Sequence, residues 1–140
     1  MAAKTTFLAG RVLDQVLKHN AELSYTWPTT VYAALFISDP TVAGLFTGEV
    51  ATGAGVTDYI RQPITWATIG VGNSVANSAA ITYPVSTAGY GSTPIGWVGI
   101  CDTVATASGM LYQGPLITPK TITAGDQVSF AIGALVMTEV

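Results

Sequence analysis

The run GEVATGAGVTDYIRQPITW, residues 48–66, decides the fold. Glycines at 48, 53 and 55 empty into Arg61 and then into an alternating apolar segment. Such a run is either a phosphate cradle ahead of a helix or a loop entering a strand. A Walker-type cradle needs GxxxxGK[ST], because backbone amides wrap the phosphates while the lysine and hydroxyl meet phosphate and metal. Neither this run nor any other stretch supplies it. A dinucleotide fingerprint needs GxGxxG between a strand and a helix; GAGVTD (53–58) and GVGNSV (70–75) both lack the third glycine and both lead toward strands. The run therefore reads as a loop that glycine lets turn tightly, followed by a strand. Asp58 and Arg61 take structural roles in it, the arginine tying loop carbonyls or a nearby carboxylate into place.

Working outward, the same period-two alternation fills the chain from Ser24 onward, with turn residues recurring every eight to twelve positions. The spacing predicts strands near 30–38, 58–67, 74–83, 94–101, 109–113, 117–122 and 127–137. In TVYAALFIS (30–38), Val31, Ala33, Leu35 and Ile37 face one way and Tyr32, Ala34 and Phe36 the other. Both faces are apolar, which predicts a strand covered on two sides. Breakers separate the strands: Asp39-Pro40, Gly70 and Gly72, the AGYGSTP run at 88–94, and Ala124-Gly125-Asp126. The pattern predicts a mainly β fold, an antiparallel sandwich of jelly-roll type. At 140 residues, with no linker-like segment, it predicts one domain over 1–140.

The first twenty residues break the alternation. Leu8, Val12, Leu13, Val16 and Leu17 recur at helical spacing, Asp14 and Lys18 sit one turn apart on the other side, and Thr5 or Thr6 fits an N-cap. This predicts one amphipathic α-helix over about 5–19. Its apolar face is buried either against the domain's own sheets or against a neighbouring subunit, which makes those five residues a candidate subunit interface.

Composition narrows the function. Hydrophobic residues are 49% of the chain and charged residues 9%, too few charges to keep a large free surface soluble, so partners are expected to cover much of it. No run approaches the roughly 17 apolar residues that a spanning helix needs, so membrane insertion is not expected. Arg11, Asp14 and Lys18 interrupt the apolar residues of the N-terminus, unlike a secretory signal, and assembly inside a cell is expected. Cys101 is the sole cysteine, which leaves no intrachain disulfide and reads as a small buried hydrophobe in a reducing compartment. A net charge of −3 with only five Lys plus Arg argues against a nucleic-acid surface, which needs a clustered basic patch.

The raw materials of catalysis are sparse. One histidine, His19, and one cysteine do not make a metal cluster, and a Cys101–His19 pair lacks the flanks of a thiol nucleophile. Carboxylates at 39, 49, 58, 102 and 126 mostly sit beside glycine or proline in turns, where acids make local backbone hydrogen bonds. Spacing leaves a carboxylate pair for glycoside hydrolysis open, and nothing favours it. Trp27, Trp66, Trp97 and the six tyrosines could line a sugar groove but read more simply as core or interface. No catalytic residue, cofactor or metal is expected.

Five ordered blocks carry a resemblance: TTVYAALFISDPT (29–41), GEV…GVTDYIRQPITW (48–66), NSAAITYP (77–84), GWVGICD (96–102) and MLYQGPLITPKTITAGDQVSFAIGALVMTEV (110–140). Together they resemble a family of small tailed-bacteriophage virion proteins, often labelled tail fibre or minor structural proteins, over roughly residues 5–139. The resemblance implies a structural β-sandwich with no catalytic residues to carry over. It also implies a place in the virion after assembly in the host cytoplasm. A small compact sandwich suits a capsid decoration or cement protein that sits as a homotrimer on the major capsid protein. A tail, baseplate or fibre-associated module, structural or carbohydrate-binding, is the alternative.

Overall fold

The structure is a computed structural model that describes residues 3–18, 26–51, 58–68, 72–105 and 109–138. Among the described residues, nine strands and one α-helix follow in the order β1 (Ala3–Lys4), α1 (Thr6–Leu13), β2 (Val31–Phe36), β3 (Gln62–Ile64), β4 (Ser74–Ala76), β5 (Ile81–Thr82), β6 (Ile95–Cys101), β7 (Met110–Lys120), β8 (Ser129–Phe130) and β9 (Val136–Thr138). Every strand pairing is antiparallel. The fold is mainly β with one short N-terminal helix, as the change of period predicts.

The central sheet runs β1-β7-β6-β2-β3. Its register places Ala33 opposite Ile100 and Leu35 opposite Val98, while Ala34 meets Gly99 and Phe36 meets Trp97. Because side chains alternate across a strand, this makes two cores from one sheet. Ala33, Leu35, Ile64, Val98 and Ile100 belong to the larger core, shared with Ile81, Tyr83, Leu135 and Met137 of the second layer. Ala34, Phe36, Cys101 and Met110 form the smaller core on the opposite face, closed by Phe46 and Trp97. Ala33 through Phe36 are wholly buried, the two-sided covering that their composition predicts, whereas Ile37 falls beyond the strand and is exposed.

The second layer is stitched from short ribbons, β4 with β9 and β5 with β8. The strand begun by β3 turns a corner into it: past Ile64, the Ala67 N–H donates to the Ala76 carbonyl (2.9 Å), the Ser78 N–H donates to the Thr65 carbonyl (2.8 Å), and Trp66 bridges Asn77. One segment thus belongs to both layers, as at the corners of sandwiches.

Four predicted strands split or merge. The segments 74–83 and 127–137 each break in two at Asn77, whose side chain replaces ladder bonds. Its amide nitrogen donates to the Ala79 and Ala131 carbonyls (2.7 and 2.9 Å), and its oxygen accepts the Leu135 N–H (2.9 Å). Conversely, 109–113 and 117–122 merge into the single strand β7, which carries Pro115 and Pro119. Those prolines are tolerated because β1 pairs only with Tyr112 and Gln113, leaving the outer side beyond them without a ladder to break.

The helix is shorter than expected. Thr5 is the N-cap, its hydroxyl accepting the Leu8 N–H (3.4 Å) while donating to the Met110 carbonyl, and it is fully buried. After Leu13 the chain widens into a π-helical turn, Asp14–Lys18, and residue 19 lies outside the described residues. No helix among the described residues is long and apolar enough to cross a membrane.

Candidate functional site

The glycine-rich run of 48–66 delivers its polar residues to one buried point. At its start, Gly48 pairs beside β2, its carbonyl accepting the Ile37 N–H (2.8 Å), and a Cβ there would lie 1.9 Å from Ser38 Oγ. Only glycine passes that close. The next residue, Glu49, turns its carboxylate inward, 13% exposed, to meet Arg61, whose side chain is 3% exposed. Arg61 Nε and Nη2 each donate to one Glu49 oxygen at 2.7 Å, a two-pronged pairing, and Nη1 donates to the Thr103 carbonyl at 2.9 Å. The guanidinium also lies over the Phe46 ring, 5.0 Å from its centroid. Three segments, 46–50, 59–61 and the turn at 103, are thereby held by one cation. The geometry is the strong form of the interaction, with its hydrogen bonds filled, which is what makes a buried ion pair tolerable.

Tyr59 extends this cluster into the large core. Its hydroxyl donates to Glu49 Oε1 and accepts the Leu35 N–H, both at 3.0 Å, so a phenol takes up the edge of β2 beyond its pairing with β3. Its ring stacks on Tyr83 (centroids 5.9 Å, 14° between planes) and meets Tyr90 edge-on (5.9 Å). Tyr83 in turn donates to the Ala33 carbonyl (2.9 Å). Burial, followed by the Glu49 charge, pushes the Tyr59 hydroxyl far above its ordinary range, and burial does the same to Tyr83. Both stay protonated and act as hydrogen-bonding struts. Cys101 lies fully buried, its thiol pushed up to about 12 by burial, so it is a neutral core side chain.

Asp58 sits on the surface, apart from the Arg61 cluster. It accepts the Thr87 N–H (2.7 Å) and the Thr87 hydroxyl, which hold its carboxyl below the usual range, the side-chain bond contributing most. Asp126 does the same for Thr123, accepting its N–H (2.8 Å) and hydroxyl (2.9 Å), and is lowered chiefly by the backbone bond. Both acids are turn clamps. Among the described residues, no group of three or more His, Cys, Asp or Glu side chains is placed to hold a metal ion.

The five helix residues separate. Leu8 is buried in its own chain at 4% exposure, and Val12 is half-buried. Leu13, Val16 and Leu17 stand out at 52, 63 and 70% exposure. Beside them Trp27, also exposed, donates its indole N–H to Gln15 Oε1. The helix begins inside the fold and ends as an apolar ridge on it. Elsewhere, where the two layers diverge, a cavity of about 340 Å³ opens between Val31, Trp66, Val75, Tyr112 and Met137, with Ser74 and Thr138 at its lip. Its walls are almost wholly apolar.

Sequence reasoning missed Glu49, Tyr59 and Asn77. Glu49 follows a glycine and reads as an ordinary turn acid; the available signal was Arg61 itself, a lone cation in an apolar stretch that needs a counter-charge if buried.

Among curated proteins, none matches the chain. A family model described as Podophage GP4 fiber I protein gp80 matches residues 3–138, nearly the whole sequence. Ordered blocks, an antiparallel fold and this end-to-end match converge, and the chain belongs to that family of phage fibre proteins.

Proposed function

We propose that the protein is a non-enzymatic structural module of the virion, associated with the tail fibre apparatus. The observation that carries this reading is the family match over residues 3–138, whose description is that of a podophage fibre protein. The architecture supports it. The Arg61, Glu49, Tyr59 and Tyr83 side chains are consumed in holding segments together, and the large exposed side chains include Leu13, Val16, Leu17, Ile117 and Ile132. Such a surface suits contact with other virion proteins and with further copies of the chain, a homotrimer among them. Assembly would take place in the host cytoplasm, with no part for nucleic acid or membrane.

A capsid decoration role, suggested by the compact sandwich alone, draws no support from the fibre description. A carbohydrate-binding role is weakly supported too: Trp66 and Tyr112 stand in an apolar cavity, whereas a sugar needs an aromatic platform framed by many hydrogen-bonding groups. Gold-labelled antibody against the chain, viewed on intact virions by electron microscopy, tests the proposal. Label on the tail or its appendages is expected; label spread over the head would overturn the fibre reading in favour of decoration.

A further inference from the structure

We propose that the N-terminal arm, residues 3–13, is a releasable guard: it opens as a unit while the two-layer body stays folded, and uncovers residues 110–113 at the edge of β7 for the arm of a second copy. The edge of the central sheet is protected in two ways. Beyond Gln113 it carries Pro115 and Pro119, which have no N–H to offer an incoming strand. Residues 110–113 include no proline, and there the arm provides the cover. Ala3 pairs with Gln113 and Lys4 with Tyr112, the Thr5 N–H donates to the Leu111 carbonyl (2.9 Å), and the Thr5 hydroxyl donates to the Met110 carbonyl. A sheet edge without such a cover is a template for pairing with another chain.

The arm is anchored at its start and weak along its length. Of the helical residues of α1 only Leu8 is buried, and an isolated helix needs about 12–15 residues to persist in water. Gly10 stands in mid-helix, where glycine is weaker than alanine, yet a Cβ there would meet nothing within 4 Å. Packing within the chain gives no reason for that glycine. The closed arm also leaves a buried acceptor unsatisfied: Gln113 is 7% exposed and its Oε1 has no hydrogen-bond partner. Gln113 pairs with Gly99, whose Cβ would point at Phe36 and Met110, so its side chain lies on the small-core face beside Ala3. Opening the arm brings water to that oxygen and offsets part of what opening loses. The body has no such weakness, since Tyr59, Arg61, Asn77 and Tyr83 tie its distant segments together. Release of the arm therefore lies below unfolding of the body in free energy. The contact itself selects the occupant. A second copy's arm carries the same residues in the same order, so on the opened edge it repeats every hydrogen bond that the first arm made.

The inference goes beyond the structural reading, and its test is independent of it. Amide exchange in the full chain, read by NMR, tests the release. The Thr5, Thr6 and Ala9 amides, bonded to the Leu111, Val42 and Thr5 carbonyls, are expected to share one opening. They should exchange about a hundredfold or more faster than the Leu35, Val50 and Tyr83 amides of the body. Thr5→Ala removes the cap and its bond to the edge, and should speed the arm amides about tenfold while leaving the body amides unchanged. Gly10→Ala should slow the arm amides about fivefold, and serves if Thr5→Ala misfolds. Arm amides as slow as those of the body, body amides that accelerate in step with the arm in Thr5→Ala, or arm amides indifferent to Gly10→Ala would each overturn the proposal. Ala3→Cys with Gln113→Cys in one chain, held reduced at high concentration and then oxidised, tests the exchange of arms, because the two positions are paired across the strands and Cys101 is buried. Disulfide-linked dimers are expected, more of them with Thr5→Ala added and fewer with Gly10→Ala. Intrachain disulfides alone at every concentration would overturn the proposal. A chain whose arm never releases yet which is found on the tail would overturn this inference while leaving the fibre reading standing.

Discussion

Arg61 is a cation left 4% exposed, and Leu17 is an aliphatic side chain left 70% exposed. A protein with only five basic residues has put one of them inside and set part of its helix out in water. The two regions differ in what surrounds them. Around Arg61, a carboxylate, a phenol, a carbonyl and a ring converge from three segments of the chain. Leu17 is left 70% exposed by the described residues. The comparison teaches that the two-sheet body is self-contained on its own polar groups, while the helix is only half used by the domain that carries it.

The sharpest way to break this contrast is at its buried end. Arg61→Ala strands the Glu49 charge beside the core, and a loss of about 3–5 kcal/mol is expected in urea unfolding. A loss under about 1 kcal/mol would show that water reaches the pair and that the cluster is ornamental. Within the helix the contrast can be tested over three turns. Leu8→Ala should cost about 2–5 kcal/mol, whereas Leu17→Asp should stay within about 0.5 kcal/mol of the wild type. Equal costs would mean that the ridge is core after all.

Asn77 offers a third test of the self-contained body. Asn77→Leu removes the partner of the Leu135 N–H and of the Ala79 and Ala131 carbonyls, and about 1–3 kcal/mol should be lost on unfolding. Exchange of the Leu135 amide should accelerate with it.

Acid supplies a smaller effect with a definite sign. Asp58 and Asp126 have folded values depressed below their unfolded ones by Thr87 and Thr123. The stability they add is therefore present above the unfolded carboxylate value, about pH 4, and is lost as pH falls through the lower folded values. The melting temperature should be flat at higher pH with respect to these two groups and decline below about pH 4, and Asp58→Asn with Asp126→Asn should flatten that decline. Smallest of all is the expected reactivity of Cys101. Its burial and raised value leave almost no thiolate, so a thiol reagent should label it only at the rate of global unfolding.

How much of this was legible in the sequence depended on whether a residue's partner was near in the chain. The central strand could be read because Ala33 through Phe36 carry their two-sided burial in their own composition, and Asp39-Pro40 marks its end. Thr5 could be read as a cap because its acceptor function serves residue 8, three positions on. The Glu49 partnership was hidden because twelve residues and a glycine-rich loop separate it from Arg61. The break in two predicted strands was hidden for a stronger reason: a single side chain, Asn77, binds residue 131 and residue 135, and no local period records that. In the other direction, the predicted strands 109–113 and 117–122 prove continuous through Pro115. On the helix, period alone put Leu8 and Leu17 on one face; the α-helical path gives way to a π-helical turn after Leu13, and Leu8 is buried while Leu17 is exposed.

The central claim is that this sandwich is a structural part of the fibre apparatus, and its copy number per purified virion, measured by quantitative mass spectrometry against the major capsid protein, tests it most directly. The account predicts a small fraction of the capsid subunit count, in keeping with the few appendages of a tail. A ratio near one chain per capsid subunit would contradict it and put the protein on the head.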